Sequence, residues 1–287
     1  MANSIPQPAT VEDIKRINAL LPIKGKIRHI TQETPDTKTF YISTFNDQLP
    51  FQLAPGQLVM LSIFGVGEAI FSASVGENCL EVTVKRVGTV TNALHEVEVG
   101  QTVGIRGPYG NGFPLNHCQG KDLLFVAGGI GLAPVRSLIN YVLDHRTEFG
   151  HLRLIYGSRS PQDLVFKEDL SKIWPAAANF NTSITVDQGD KDWQGNIGFV
   201  PDLLKKLYPK ADVNTVCILC GPPVMIKYSL NILEELKFSP ENIITTLEMR
   251  MKCGIGKCGR CNIGSCYVCL DGPVFSVAQL RTLPDEY

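Results

Sequence analysis

From Asp122 to Lys237 the chain alternates strand-like and helix-like segments, and this alternation narrows the available folds more than any other feature. The run Asp122-Leu-Leu-Phe-Val-Ala127 is apolar after its first residue, as in a strand buried on both faces. It leads into Gly128-Gly-Ile-Gly131-Leu-Ala-Pro134, after which the pattern predicts a helix from Val135 to His145. Pro134 suits the first helical turn, where its missing N–H costs nothing. His151–Tyr156, Asn181–Val186 and Val216–Cys220 read as further strands. Residues 166–174, 200–208 and the stretch from Gly221-Pro-Pro223 to Lys237 read as helices. Such an order implies a doubly wound parallel sheet, in which ligands bind outside the carboxyl ends of the strands. Gly128–Gly131, Gly157–Arg159 and Cys220–Pro223 all fall at such ends. Gly128-Gly-Ile-Gly131 is not the G-x-G-x-x-G fingerprint, and close helix–strand packing explains it equally well. Arg159 reads either as a partner for a ribose phosphate or as a solvated loop arginine.

The preceding part, from Ile23 to about Arg106, has a different texture. Residues 26–30, 37–43, 58–63, 80–85 and 102–106 are short β-type runs, separated by turns such as Pro55-Gly56 and Gly65-Val-Gly67. Strands at this spacing point to a small antiparallel barrel. Three of its loops could carry chemistry: Phe71-Ser72, Gly88-Thr-Val-Thr91 and Gly107-Pro-Tyr-Gly-Asn-Gly-Phe113. The second precedes Asn92-Ala-Leu-His95 and would present backbone N–H groups at a helix start, where a pyrophosphate is held favourably. Each of the three also reads as a plain turn. Ahead of the barrel, Thr10 and Asp13 resemble a capping box, and Val11, Ile14, Ile17 and Leu21 recur at helical spacing, which predicts an amphipathic helix over 10–21.

Five of the nine cysteines lie between Cys253 and Cys269. Cys253, Cys258 and Cys261 follow the C-x4-C-x2-C order of plant-type [2Fe–2S] sites. Gly254, Gly256 and Gly259 give the backbone the freedom to turn the thiols onto one small core. A structural zinc site, a disulfide pair or idle thiols are the other readings, although zinc sites more often use paired C-x2-C knuckles.

The 287 residues suffice for two domains and a small appendage. With 27 basic against 28 acidic residues, nothing points to nucleic acid or acidic lipid. No apolar run approaches the ~20 residues that span a bilayer, and Met1–Leu21 lacks the pattern of a secretory signal. Clustered cysteines in odd number fit a reducing compartment, so a cytoplasmic protein is expected.

The succession of barrel, glycine turn, Gly-Gly-x-Gly-x-Ala-Pro and Cys-Gly-Pro-Pro-x-Met resembles the ferredoxin–NADP reductase superfamily over residues 22–243. The stretch Glu248-Met-Arg-Met-Lys-Cys253 through Cys261, followed by Tyr-Val-Cys269-Leu-Asp-Gly-Pro-Val-Phe275, resembles the γ subunits of NADP-linked sulfhydrogenases. It is also similar to the flavin/iron–sulfur subunit of anaerobic sulfite reductase. The electron-transfer subunit of dihydroorotate dehydrogenase, with looser cysteine spacing, is a more distant likeness.

The resemblance implies an N-terminal helix (1–21), an FAD-binding antiparallel β-barrel (22–117), an NAD(P)-binding α/β domain (118–243) and a [2Fe–2S] segment (244–287). Phe71 and Ser72 match the end of the family's Arg-x-Tyr-Ser flavin motif, with Ser72 approaching flavin N5 and Phe71 packing near the FAD. Ala69 stands where that motif has its arginine, which shifts the pyrophosphate contacts onto Gly88, Thr89, Val90 and Thr91. Gly128, Gly129, Gly131, Ala133 and Pro134 match the nicotinamide-nucleotide loop, and Cys220, Gly221 and Pro222 the segment beside the nicotinamide ring. Cys220 is not expected to act as a nucleophile. Cys253, Cys258, Cys261 and Cys269 match the four cluster ligands, leaving Cys266 surplus. Arg250, Lys252, Lys257 and Arg260 surround them, as counter-charges to an anionic cluster or as solvated surface cations.

The activity so implied is hydride transfer between NAD(P)H and FAD, with single electrons passing through the cluster to an iron–sulfur-containing partner subunit of a hydrogenase-type complex. No catalytic acid, base or nucleophile is required of the chain. Sulfite reductase, heterodisulfide reductase and dihydroorotate dehydrogenase are alternative complexes. A zinc-knuckle, nucleotide-binding interaction protein without redox activity is an alternative of another class.

Overall fold

Two seven-stranded sheets carry the chain, one antiparallel and one mainly parallel. The computed structural model describes residues 20–208 and 214–284. The helix expected over 10–21 lies outside them except for Leu20 and Leu21, which stand exposed in a turn.

The first sheet contains β1 (Ile23–Thr34), β2 (Thr37–Thr44), β3 (Leu58–Ile63), β4 (Gly67–Ser72), β5 (Ser74–Val75), β6 (Leu80–Lys85) and β7 (Thr102–Tyr109), ordered β4-β3-β7-β1-β2-β6-β5. Its inner face packs Ile27, Phe40, Val59, Leu61, Val82, Val84 and Val103 into one apolar cluster. The short helix α1 (Thr89–His95) follows β6. β4 is a strand that the sequence does not announce, since Gly67-Glu-Ala-Ile70 is poor in β-formers. Its ladder to β3, from Leu58↔Ser72 to Ile63↔Gly67, holds it in place.

The second sheet contains β8 (Asp122–Gly128), β9 (Leu152–Ser158), β10 (Phe180–Val186), β11 (Asn196–Ile197), β12 (Thr215–Cys220) and β13 (Ile243–Thr246), all parallel. A hairpin, β14 (Asn262–Ile263) and β15 (Cys266–Tyr267), follows, and β16 (Val274–Ser276) then pairs antiparallel with β13. The order β11-β10-β9-β8-β12-β13-β16 reverses direction at β8, which makes the carboxyl end of β8 the topological switch point. Helices α2 (Leu132–Asp144), α3 (Val200–Leu207) and α4 (Pro223–Glu235) cover the sheet. Leu138 and Val142 of α2 belong to the core on one face, Leu204 and Leu233 of α3 and α4 to the core on the other. The helix expected over 166–174 is a π turn, Asp169–Ile173, followed by Trp174–Ala176. Phe166 has a positive φ of 53°, so the regular helix cannot begin there.

The two sheets are joined by buried polar contacts. Arg136 on α2 forms ion pairs with Glu81 on β6 and with Asp169, at 2.5 Å for the latter, and its guanidinium lies 4.7 Å from the Phe166 ring centroid. Burial opposes its charge, but the two carboxylates outweigh burial and hold the guanidinium protonated. Ser137 Oγ also accepts the Gly56 N–H at 3.1 Å, and Glu33 accepts the Phe166 N–H at 2.8 Å. The C-terminal segment does not stand apart: β13 begins at Ile243 and so runs across the boundary that the sequence reading places between 243 and 244, and β16 closes the edge of the parallel sheet. Among the described residues no helix is long and apolar enough to cross a membrane.

Candidate functional site

At the switch point the glycine loops meet in a cleft of about 830 Å³. Gly128 ends β8, Gly129–Gly131 form one 3₁₀ turn, and Ala133 and Pro134 sit in the first turn of α2. A Cβ on Gly131 would lie 2.7 Å from the Cys220 carbonyl oxygen, and one on Gly128 2.5 Å from Met225 Sδ. The loops after β8 and β12 therefore approach only because side chains are missing there. The Tyr156 hydroxyl donates to the Gly129 carbonyl at 3.2 Å and fixes the loop from below. Gly221, Pro222, Arg159, Asp187 and Glu248 line the same cleft. Arg159 pairs with Asp163 at 2.8 Å, and its charge also acts on Asp187, whose carboxyl burial pushes up. Cys220 is buried, with Sγ 2.9 Å from Thr246 Oγ1. Burial pushes its thiol up to about 12, so no thiolate forms near neutral pH. A cradle of bare backbone at strand ends, beside a wide cleft, fits a dinucleotide.

The edge strand β4 is the open part of the antiparallel sheet. Its residues are half-buried or exposed throughout, whereas β3 beside it is buried along Leu58–Ser62. Phe71 leans toward the barrel interior and Ser72 lies on the opposite face, because neighbouring strand residues alternate. A Cβ on Gly67 would lie 3.3 Å from Val90, so the start of α1 runs beside this edge. There Thr91 Oγ1 accepts the Val87 and Gly88 N–H groups at 2.9 and 2.8 Å. Thr89, Val90 and Thr91 are the first three helical residues, whose own N–H groups have no partner within a helix. A half-open apolar strand beside such a turn fits the isoalloxazine and pyrophosphate ends of a flavin nucleotide.

The cysteine segment builds a nest of thiols. Gly254, Gly256 and Gly259 have φ of 77°, 67° and 67°. These turns aim the N–H groups of Ile255, Lys257 and Cys258 at Cys253 Sγ, at 3.4, 3.3 and 3.4 Å, and that of Gly256 at Cys269 Sγ at 3.2 Å. The free thiols stand as two pairs in hydrogen-bonding reach, Cys258 with Cys253 and Cys269 with Cys261. Burial pushes Cys253 up, but the converging N–H groups outweigh it and bring the thiol down to about 7. Burial pushes Cys269 up to about 12, reinforced by its bond to Cys261. Among the described residues no three potential ligands close on a single point as one ion would require. Four neighbouring thiols, two of them receiving backbone N–H groups, fit a small anionic iron–sulfur core, which Cys253, Cys258, Cys261 and Cys269 would hold. Cys266, half-buried on β15, belongs to neither pair.

Strand register connects the three regions. Leu58 pairs with Ser72 on one side and Tyr109 on the other, while Met60 pairs with Ile70 and Arg106. Directly opposed residues share a sheet face, so all six look outward from the barrel. Arg106 and Tyr109 are three apart and would alternate, but a bulge across Gly107–Pro108 returns them to one face. Leu58, Met60 and Tyr109 pack there against Met251, Cys261, Val268 and Cys269. Gly254 is pressed on Tyr109, where a Cβ would lie 2.8 Å from the ring. Asn111 holds the other end: its Nδ2 donates to the Asp271 and Val274 carbonyls at 2.9 and 2.7 Å, and its Oδ1 accepts the Val274 N–H at 2.9 Å. Ser72 and Tyr109 are two strand spacings apart, roughly 10 Å. Arg106 was missed in the sequence, and Tyr109 and Asn111 stood out there only as members of the Gly107–Phe113 loop, without a role. An arginine directly after the apolar stretch Val103-Gly-Ile105 was the available signal.

Comparison with known proteins accords with these three regions. Residues 24–113 match the oxidoreductase FAD-binding domain, residues 125–230 the oxidoreductase NAD-binding domain, and residues 248–281 the iron–sulfur cluster binding domain of dihydroorotate dehydrogenase B. The sulfhydrogenase 1 subunit gamma of Pyrococcus furiosus is 37% identical over 87% of this chain and 89% of its own length. A probable dihydroorotate dehydrogenase B (NAD(+)) electron transfer subunit of the same organism is 36% identical over 83% of this chain and 86% of its own. Among solved structures, a chain of the NADH-dependent reduced ferredoxin-NADP oxidoreductase shares the fold with a TM-score of 0.74 at 22% identity, covering 91% of this chain and 89% of that one.

Proposed function

The chain belongs to the family of ferredoxin–NADP reductase-like flavin and iron–sulfur electron-transfer subunits that includes the sulfhydrogenase gamma and dihydroorotate dehydrogenase B electron transfer subunits, and on that basis we propose that it moves electrons between NAD(P)H and a partner redox subunit. FAD and a [2Fe–2S] cluster held by the chain would supply the hydride and single-electron chemistry, respectively. The chain contributes position. Gly128, Gly129, Gly131, Ala133, Pro134 and Arg159 receive the nucleotide, and Cys220, Gly221 and Pro222 border the nicotinamide without a reactive thiolate. Phe71, Ser72 and Gly88–Thr91 hold the flavin nucleotide. Cys253, Cys258, Cys261 and Cys269 hold the cluster. The single observation that carries this reading is the row Ser72–Leu58–Tyr109, which puts the proposed flavin strand and the thiol nest on one face of one sheet.

The partner we infer is an iron–sulfur-containing subunit of a cytoplasmic hydrogenase-type complex, in keeping with the likeness to the sulfhydrogenase gamma subunit. A dihydroorotate dehydrogenase is the second reading, favoured by the match of residues 248–281. Anaerobic addition of NADH or NADPH to the purified, cofactor-loaded chain is expected to bleach both flavin and iron–sulfur absorption. Absence of bleaching with either nucleotide refutes the proposal. Isolation of the native complex and identification of its other subunits decides between the two partners.

A further inference from the structure

Arg106 brings a permanent positive charge into the apolar seat of the cysteine segment, with its side chain only 4% exposed. Its Nη1 donates to the Tyr109 hydroxyl at 2.9 Å and to the Cys253 carbonyl at 3.2 Å. Its Nη2 donates to Glu68 Oε1 at 2.6 Å and lies 2.7 Å from Met60 Sδ. A methionine or leucine would fill this seat without the desolvation that a buried guanidinium incurs. The charge therefore needs a reason beyond packing, and the geometry supplies one. On one side the guanidinium touches the backbone of the first thiol residue. On the other it meets a carboxylate that is 38% exposed, so water screens Glu68 far more than it screens Arg106. A net positive field is left pointing at the thiol nest. Arg250, Lys252, Lys257 and Arg260 are all exposed, and their fields are weakened by water and salt.

We propose that Arg106 is a positioning residue that fixes the Cys253 loop on the barrel and raises the reduction potential of the cluster held there, with Glu68 as the counter-charge that limits the effect. The inference rests on the cluster assignment made above. Adding an electron to a core already ringed by four thiolates increases its negative charge, and a nearby buried cation favours that reduced form.

The test uses the full chain loaded with FAD and cluster, titrated potentiometrically with the cluster followed by EPR and the flavin by absorption in the same sample. In Arg106→Gln the reduced-to-oxidised ratio of the cluster at fixed potential is expected to fall about tenfold, which is 59 mV for one electron. In Glu68→Gln the same ratio is expected to rise several-fold, because the guanidinium loses its counter-charge. Arg106→Lys is expected to keep most of the potential, and the flavin should move less than the cluster in every variant. A purely structural role would not move the cluster in opposite directions in the two Gln variants. Shifts of the same sign, or no shift, overturn the proposal. If Arg106→Gln fails to fold, Glu68→Gln decides alone: a rise supports the proposal and its absence overturns it. A wild-type chain that takes up no [2Fe–2S] cluster overturns the cluster assignment and this inference together. A reducible cluster indifferent to both variants overturns the inference only.

Discussion

Replacing Arg136 by methionine tests whether one buried ion triad aligns the two sheets. In the native chain Arg136, Glu81 and Asp169 have side chains 14%, 13% and 11% exposed. The substitution leaves two carboxylates facing each other with little water between them. Breaking a buried pair by removing one partner costs about 3–5 kcal/mol, and the residual exposure places this case near 3. At about 2–4 °C per kcal/mol for a protein of this size, the thermal midpoint should fall by about 6–12 °C. Arg136 lies two residues beyond the Gly128–Pro134 loop, and Glu81 belongs to the barrel, so the same change should loosen the alignment of nucleotide and flavin sites. A misplacement near 1 Å can cost about a hundredfold in rate, so stopped-flow bleaching of the flavin by NADH should slow by tenfold to about a hundredfold. The companion variant R136M/E81Q/D169N removes the stranded charges and should recover most of the midpoint but not the rate. An unchanged midpoint in R136M, or a triple variant no more stable than the single one, would refute the reasoning.

Three further outcomes are expected. Serine at Cys253, Cys258, Cys261 or Cys269 should abolish the cluster's EPR signal while flavin absorption stays, whereas Cys266→Ser should leave both, as measured on anaerobically reconstituted chains. A ribose 2′-phosphate approaching Arg159 would meet Asp163 and Asp187 beside a single guanidinium, so NADH should show a KM about tenfold below that of NADPH, equivalent to about 1.4 kcal/mol; D163N/D187N should narrow the gap, and a native preference for NADPH refutes the argument. His95 is buried, and burial first, then the charges of Lys38 and Arg86, depress its pKa despite its bond to the Val84 carbonyl. The folded state then binds fewer protons than the unfolded one below about pH 6.5, so the stability this histidine contributes is present above that pH and is lost as pH falls through the window beneath it. His95→Gln should flatten the dependence of the thermal midpoint between pH 7.5 and 5.5, read by circular dichroism.

The parallel sheet was legible because its strands are continuous apolar runs broken at glycines, and β8, β9, β10 and β12 lie within two residues of where the sequence puts them. The thiol nest was legible because its turns need glycine and its cysteines are close in sequence. Two kinds of information were not. Strand β4 has no local preference of its own and exists through its pairing with β3. Arg106 and Asn111 act on residues 147 and 163 positions away, and no periodicity reports a contact of that separation.

One clue to the assembly was nevertheless written in β3. A barrel strand with a solvated outer face alternates apolar and polar residues. Leu58-Val-Met-Leu-Ser-Ile63 does not: Val59 and Leu61, facing inward, are 0% exposed, but Leu58 and Met60, facing outward, are only 8% and 1% exposed. Both faces are therefore covered, and what covers the outer one is the cysteine segment. Stripped of it, the barrel would present Leu58, Met60, Ile70 and Tyr109 as a contiguous apolar patch with a buried arginine in its midst. The cysteine segment is thus part of the barrel's core rather than an appendage. The same packing that hides this face sets the separation between β4, the proposed flavin strand, and the thiols. A strand apolar at both parities in an antiparallel sheet is, in this chain, the mark of a face covered by the segment proposed to hold the cluster.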